Sequence, residues 1–150
     1  MAKRTQSPKT LRGDARAALA GCAGLNLRQT ARRVTQFLEG EMAKAGVSLS
    51  QFGLLAEIAA ADDDTVGALA ARMRLDQSTL SRTLRTLEAE ELLEIAVVEA
   101  DQRKRMVWLT EKGARRLEAA LAAWRQAHAR LAEHLSVELV GRLAREARSL

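Results

Sequence analysis

Tyrosine is absent from the 150-residue chain, and proline and cysteine occur once each, as Pro8 and Cys22. A single cysteine excludes an intramolecular disulfide framework. Scarce proline beside an apolar content of 47%, rich in Ala and Leu, argues against turn-rich sandwiches and barrels and for helices. No apolar run approaches the roughly 20 residues that span a bilayer as a helix. The opening MAKRTQSPKTLRGD lacks the apolar core of a secretory signal. The expectation is a cytoplasmic protein without membrane contact. HExxH, CxxC and phosphate-binding glycine loops are also missing, and Cys22, His128 and His134 are scattered without a nucleophile motif. Neither catalysis nor a cofactor is expected.

The formal charge of +5 is unevenly spread. Residues 1–33 hold eight basic side chains against one acid, Asp14, whereas the remainder holds 16 basic and 18 acidic. Net charge therefore says little about partners of the main body, and the direction of particular side chains must carry that argument. Residues 1–13 show no sustained period and read as a basic arm, either a solvated tail or a source of non-specific attraction to phosphates. The length suits one domain, residues 14–150, with a real core.

Helical periodicity begins in a region of about 15–45, interrupted near Gly21–Gly24. Leu27, Ala31, Val34, Leu38 and Met42 form its stripe, and Gly46 is its expected terminator. Ser48 with Gln51 spells a capping box for a helix burying Phe52, Leu55 and Ile58. Asp62, Asp63 and Asp64 suggest either a metal loop or the approach to a helix start. They lack the alternating oxygen ligands and Gly of a calcium loop, so no metal is expected. A short helix over about 65–72 buries Leu69.

The most informative stretch runs from Asp76 to Leu109, DQSTLSRTLRTLEAEELLEIAVVEADQRKRMVWL. Asp76 is an N-cap whose carboxylate can accept a first-turn N–H. Leu80, Leu84 and Leu87 share one stripe, and Ser78, Arg82, Arg85 and Thr86 project to the other side. Hydroxyls and guanidiniums displayed from a helix docked by leucines suit base edges and phosphates. Ser78, Ser81 and Arg82 are the candidates for base edges, and Gln77, Thr79 and Arg85 for bases or phosphates. Two strands follow, with Ile95 and Val97 sharing a face on the first, Val107 and Leu109 sharing a face on the return, and Ala100–Lys104 between them as a charged tip. After them Thr110 caps a long helix to about Leu135. Its Leu117, Leu121, Trp124, His128, Leu131 and Leu135 are spaced 4-3-4-3-4, a seam that requires a partner helix. Ser136 starts a last helix. Cys22 reads as a redox-active thiol or a small buried hydrophobe. His128 reads as a pH or effector contact, or as a hydrogen-bonded packing residue.

Four words in order, LAARM (69–73), DQSTLSRTLRTLE (76–88), DQRKR (101–105) and LTEKG (109–113), resemble those of the MarR-type winged helix-turn-helix transcriptional regulators. The resemblance covers about Leu25 to the C-terminus. It departs from the family pattern at Glu91, which stands where a glycine usually precedes the Leu ending the recognition helix.

The resemblance implies a mainly α fold: a winged helix-turn-helix over 47–109 with a two-stranded β wing, flanked by dimerisation helices over 14–46 and 110–150. It implies a homodimeric repressor on double-stranded DNA with an inverted-repeat operator, relieved by a small aromatic effector. Arg103 becomes the minor-groove candidate, Lys104 and Arg105 phosphate contacts or structural partners, and Asp101 the residue orienting the wing. Two other readings stay open: a redox-switched regulator using Cys22, and a non-specific DNA-architectural or protein-interaction module.

Overall fold

The computed structural model describes residues 8–61, 65–98 and 101–150; of residues 8, 9, 98 and 101–104 it describes the backbone alone. The acidic run Asp62–Asp64 lies outside the described residues, and among those described no group of side chains could hold a metal ion. No helix among them is long and apolar enough to cross a membrane.

The chain divides into two compact units, Met1–Phe37 and Leu38–Leu150. In the first lie helix α1 (Pro8–Gly21) and the start of α2 (Ala23–Ala43). Pro8 opens α1, the first-turn position where a missing N–H costs nothing. Residues 8–13, expected as part of an arm, are therefore helical. The interruption expected near Gly21–Gly24 is real and falls at Cys22. Asn26 Nδ2 donates to Ala20 O at 3.0 Å across the break.

The second unit holds α3 (Leu49–Ala59), α4 (Val66–Met73), α5 (Gln77–Ala89), β1 (Leu93–Val98), β2 (Asp101–Leu109), α6 (Glu111–Ala132) and α7 (Val137–Glu146), ending in a single 3₁₀ turn. Each helix from α3 to α7 starts at a side-chain cap: Ser48, Thr65, Asp76, Thr110 and Ser136 accept from the first turn's N–H groups. Ser48 and Gln51 form the reciprocal capping box. Gly46 ends the preceding turn at φ 73°, a conformation open to glycine without penalty.

One apolar core joins these elements. Phe52, Leu55 and Ile58 of α3 meet Leu69 of α4, the Leu80/Leu84/Leu87 stripe of α5, Leu93 and Val107 of the strands, and Leu117 of α6. The three α5 leucines are 0–2% exposed, each worth roughly 1.5–3 kcal/mol over an exposed position. No described polar or charged side chain is buried.

The strands pair antiparallel, with Leu93 opposite Leu109, Ile95 opposite Val107 and Val97 opposite Arg105. Val107 is buried, but Val97 is 53% exposed, because the hairpin extends beyond the core. Val98 pairs with Asp101, so β2 is already under way where the sequence reading puts a tip, and residues 102–104 fall within a register irregularity. A bridge between Thr65 and Met106 fastens the start of α4 to β2.

Glu91 takes the left-handed conformation, φ 59°, that explains the usual glycine there. Its backbone oxygen accepts the Thr110 hydroxyl at 2.7 Å, and its carboxylate meets Lys112 Nζ at 2.8 Å. The Lys112 contact lowers the Glu91 carboxyl from its ordinary value. Both partners are exposed, so the ion pair adds little against the backbone cost. Glu91→Gly should raise the thermal midpoint at fixed protein concentration by about 2–4 °C, the equivalent of about 1 kcal/mol. A lower midpoint would mean that the Lys112 link outweighs the strain.

Candidate nucleic-acid interface

Helix α5 is built to show one face. With Leu80, Leu84 and Leu87 in the core, Gln77, Ser78, Thr79, Arg82, Arg85 and Thr86 are all exposed, and Ser81 is half-buried. The helix is reached through a tight turn in which Arg74 takes φ 52° as the C-cap of α4. Two residues later Asp76 starts the new helix.

Asp76 does more than the expected capping. Its Oδ1 accepts Thr79 N at 2.8 Å and the Ser78 hydroxyl at 2.6 Å, and its Oδ2 accepts the Thr79 hydroxyl at 2.7 Å. The Ser78 hydroxyl bond, then the Thr79 backbone and hydroxyl bonds, hold the Asp76 carboxyl well below the usual carboxylate range. The spacing D-x-S-T carries the signal for this network, since short polar side chains bond locally at i+2 and i+3. Further along, Thr83 and Thr86 donate their hydroxyls to the carbonyls of Thr79 and Arg82 at 3.1 Å.

Between α5 and the wing runs a groove of about 190 Å³, lined by Ser81, Arg85 and Glu88 on the helix and Ile95, Val97 and Arg105 on the strands. The fold thus brings Ser81, Arg85 and Arg105 together, whereas Gln77 and Arg82 lie on the exposed helix face outside this lining. Asp101, Arg103 and Lys104 sit in β2 beyond Arg105, and their side chains lie outside the described residues. One rigid core therefore holds both a displayed helix face and the base of a hairpin beside it, a geometry suited to a duplex groove and its flanking backbone.

These features coincide with the regions that comparison with known proteins singles out. The model of the MarR family matches residues 45–104, the span from the end of α2's turn to the wing. Over that span the chain is similar to the MarR family. No curated protein matches the sequence. Among solved structures, the M. tuberculosis transcriptional regulator MosR in complex with DNA is 27% identical, with a TM-score of 0.71 over 85% of this chain and 97% of that one. The transcriptional repressor CouR bound to a 23-mer DNA duplex is 22% identical, with a TM-score of 0.79 over 88% and 94%. CouR from Rhodococcus jostii RHA1 bound to p-coumaroyl-CoA is also 22% identical, with a TM-score of 0.73 over 88% and 93%. The mainly α winged-helix architecture is that of this family.

The seam on α6 meets its partner differently from the sequence expectation. Leu117 is buried in the chain's own core, and Leu121 and Trp124 pack against it. Trp124 stacks on Phe52 of α3 with ring centroids 6.4 Å apart. Within the chain, this half of the seam is thus covered by α3. His128 lies 4.2 Å from the Trp124 ring, and its Nδ1–H donates to Trp124 O at 3.0 Å, the packing role among its two readings. Leu131 is half-buried, and Leu135 lies past the end of α6, capped at Glu133. Cys22 is exposed, so within the chain it is not the buried hydrophobe of one reading.

Glu41 was not singled out by sequence reasoning. It binds Lys44 at 2.9 Å and Arg130 at 2.7 Å, tying the end of α2 to α6. The Lys44 hydrogen bond is the largest cause of its lowered carboxyl, with Arg130 adding to it against desolvation. Arg116 likewise donates to Gly46 O at 2.8 Å. These contacts span 89 and 70 positions, and no local pattern announces them.

Proposed function

We propose that this MarR-like protein is a homodimeric, sequence-specific repressor that reads an inverted-repeat operator in double-stranded DNA and is released by a small aromatic ligand. The observation that carries the reading is the α5 face. A helix locked by three fully buried leucines displays Gln77, Arg82 and Arg85 beside a hairpin that starts from the same core. Arg82 and Arg85 serve bases or phosphates, with Arg105 at the hairpin's base. Arg103 and Lys104 are assigned to the minor groove and its phosphates, oriented by Asp101. The likeness to MosR, which was solved with DNA, supports the assignment. Ligand release requires the ligand to favour a conformation with poor half-site spacing. A dimer is supported by apolar surface on α7, where Leu139, Val140 and Leu143 are 39–40% exposed, beside the half of the α6 seam at His128, Leu131 and Leu135 that the chain leaves half-buried.

Selection of bound duplexes from a random pool tests the reading directly. The expected product is an inverted repeat with half-site centres roughly one helical turn, about 10 bp, apart. Val140→Glu combined with Leu143→Glu should yield a monomer by sedimentation and lose the repeat while keeping helical circular dichroism. Equal recovery of random and selected DNA at physiological salt would replace the reading with a non-specific architectural one.

A further inference from the structure

The first turn of α5 holds a feature that bears on which bases the helix accepts. Ser78 and Thr79 are exposed on the face assigned above to DNA, yet both hydroxyl hydrogens are already engaged. A carboxylate has no proton of its own, so the 2.6 Å contact from Ser78 Oγ and the 2.7 Å contact from Thr79 Oγ1 must both be donated by the hydroxyls. Each hydroxyl has one hydrogen and two lone pairs. What remains toward solvent is acceptor capacity alone. The Thr79 N–H is also committed, at 2.8 Å to the same carboxylate.

We propose that Asp76 is a positioning residue for base selection: it converts Ser78 and Thr79 into acceptor-only groups, so that the base edge they meet must carry an exocyclic amino group. This deepens, and rests on, the DNA reading above. In the major groove the amino donors are adenine N6 and cytosine N4, while thymine O4 and guanine O6 offer only lone pairs. An amino group would complete the hydroxyl's bonding. A keto oxygen would face lone pairs with no hydrogen between them, and both groups would lose water without replacement. The negative charge of Asp76 acts in the same direction, attracting amino hydrogens and repelling keto oxygens. Arg82, a donor-only group one turn further on, has the opposite preference, for guanine O6 and N7. Ser78 and Thr79 thus present acceptors where Arg82 presents donors one turn later, a polarity that fixes which strand of a base pair each meets. Asp76 remains ionised throughout the ordinary pH range, because its bonds hold the carboxyl low.

The experiment is selection from a random duplex pool by the full chain and its Asp76→Asn, Ser78→Ala and Thr79→Val variants. Asn caps a helix about as well as Asp, so α5 persists, checked by circular dichroism. The Asn amide, however, has one acceptor oxygen and an NH₂ that donates, which frees at least one hydroxyl to donate outward. The expected result is an A-or-C preference on one strand of each half-site at a position sensitive to Ser78→Ala or Thr79→Val. Asp76→Asn should reduce that preference by about tenfold, the scale of a lost base-edge contact, and leave the remaining positions unchanged. Unaltered base preferences in Asp76→Asn would overturn the proposal and leave Asp76 a cap alone. A G-or-T preference at the hydroxyl-sensitive position, or no position sensitive to either hydroxyl, would overturn it as well. Should Asp76→Asn fold poorly, the two hydroxyl variants, which keep the carboxylate cap, decide on their own. Failure of the unmodified chain to enrich any sequence would instead remove the DNA reading and this proposal with it, which distinguishes the two failures.

Discussion

Gly113→Ala is expected to cost about 3 kcal/mol or more, beyond the ordinary range for a single added methyl group. A Cβ on Gly113 would stand 1.8 Å from Leu92 O and 2.8 Å from Leu92 C, and both are backbone atoms that cannot swing aside. Leu92 is 1% exposed and part of the core, so retreat on that side is closed. On the other side, Gly113 N donates to Thr110 Oγ1 at 3.0 Å, Thr110 Oγ1 donates to Glu91 O, and Thr110 N donates to Leu92 O at 3.2 Å. The methyl group would therefore prise apart the joint among the end of α5, the base of the wing and the start of α6. Thermal unfolding should show a midpoint lowered by roughly 6 °C or more for a chain of this size. Gly53→Ala is the control. It lies inside α3 with nothing within 4 Å of its added Cβ, and it should stabilise by roughly 0.5–1 kcal/mol through helix propensity. A Gly113→Ala midpoint equal to that of the unmodified chain would show that α6 can shift off Leu92 at no cost.

Arg82→Ala should weaken binding to the selected operator by roughly 1–3 kcal/mol, about ten- to a hundredfold, if its guanidinium makes a bidentate base contact. The side chain is exposed opposite the buried leucines, so truncation removes no core contact and the fold should melt unchanged. Binding to random DNA should fall less, because one lost phosphate-range charge lowers affinity uniformly and makes the salt dependence shallower by about 0.9. Titrations on both DNAs at several salt concentrations separate the two roles. Equal losses on both would make Arg82 a phosphate contact and transfer base reading to Gln77, Ser78 and the wing. Arg82→Lys should recover only part of the specific binding, since the ammonium keeps charge but loses the planar fork.

Much of this architecture is legible in short stretches of sequence, and the reason is range. Caps and buried stripes act over three or four residues, so Ser48 with Gln51, Asp76, Thr110 and Ser136 announced helix starts that the structure confirms. The Leu80/Leu84/Leu87 stripe announced which face of α5 is buried and hence which residues it displays. The alternation in β1 and β2 announced a hairpin, and the resemblance marked Glu91, where the structure shows a left-handed residue, as a departure from the usual glycine. The Asp76 network was also local, but the sequence reading stopped at the backbone cap and gave the Ser78 and Thr79 hydroxyls to DNA alone, without their bonds to Asp76.

What only the tertiary structure decided is which surfaces meet. A heptad-like stripe on α6 states that Leu117, Leu121 and Trp124 need cover, but apolar burial is non-directional and does not name the cover. The fold supplies α3 of the same chain and leaves the apolar face of α7 exposed. Close approach is equally invisible along the chain. Nothing in LTEKG says that the missing side chain of Gly113 makes room for the Leu92 carbonyl 21 positions earlier. The pairing of Glu41 with Arg130, and of Arg116 with Gly46 O, depends on where whole helices come to rest. Local chemistry thus settled the elements and the face each displays, whereas their partners were settled by packing, because a contact between distant residues leaves no periodic trace in either segment.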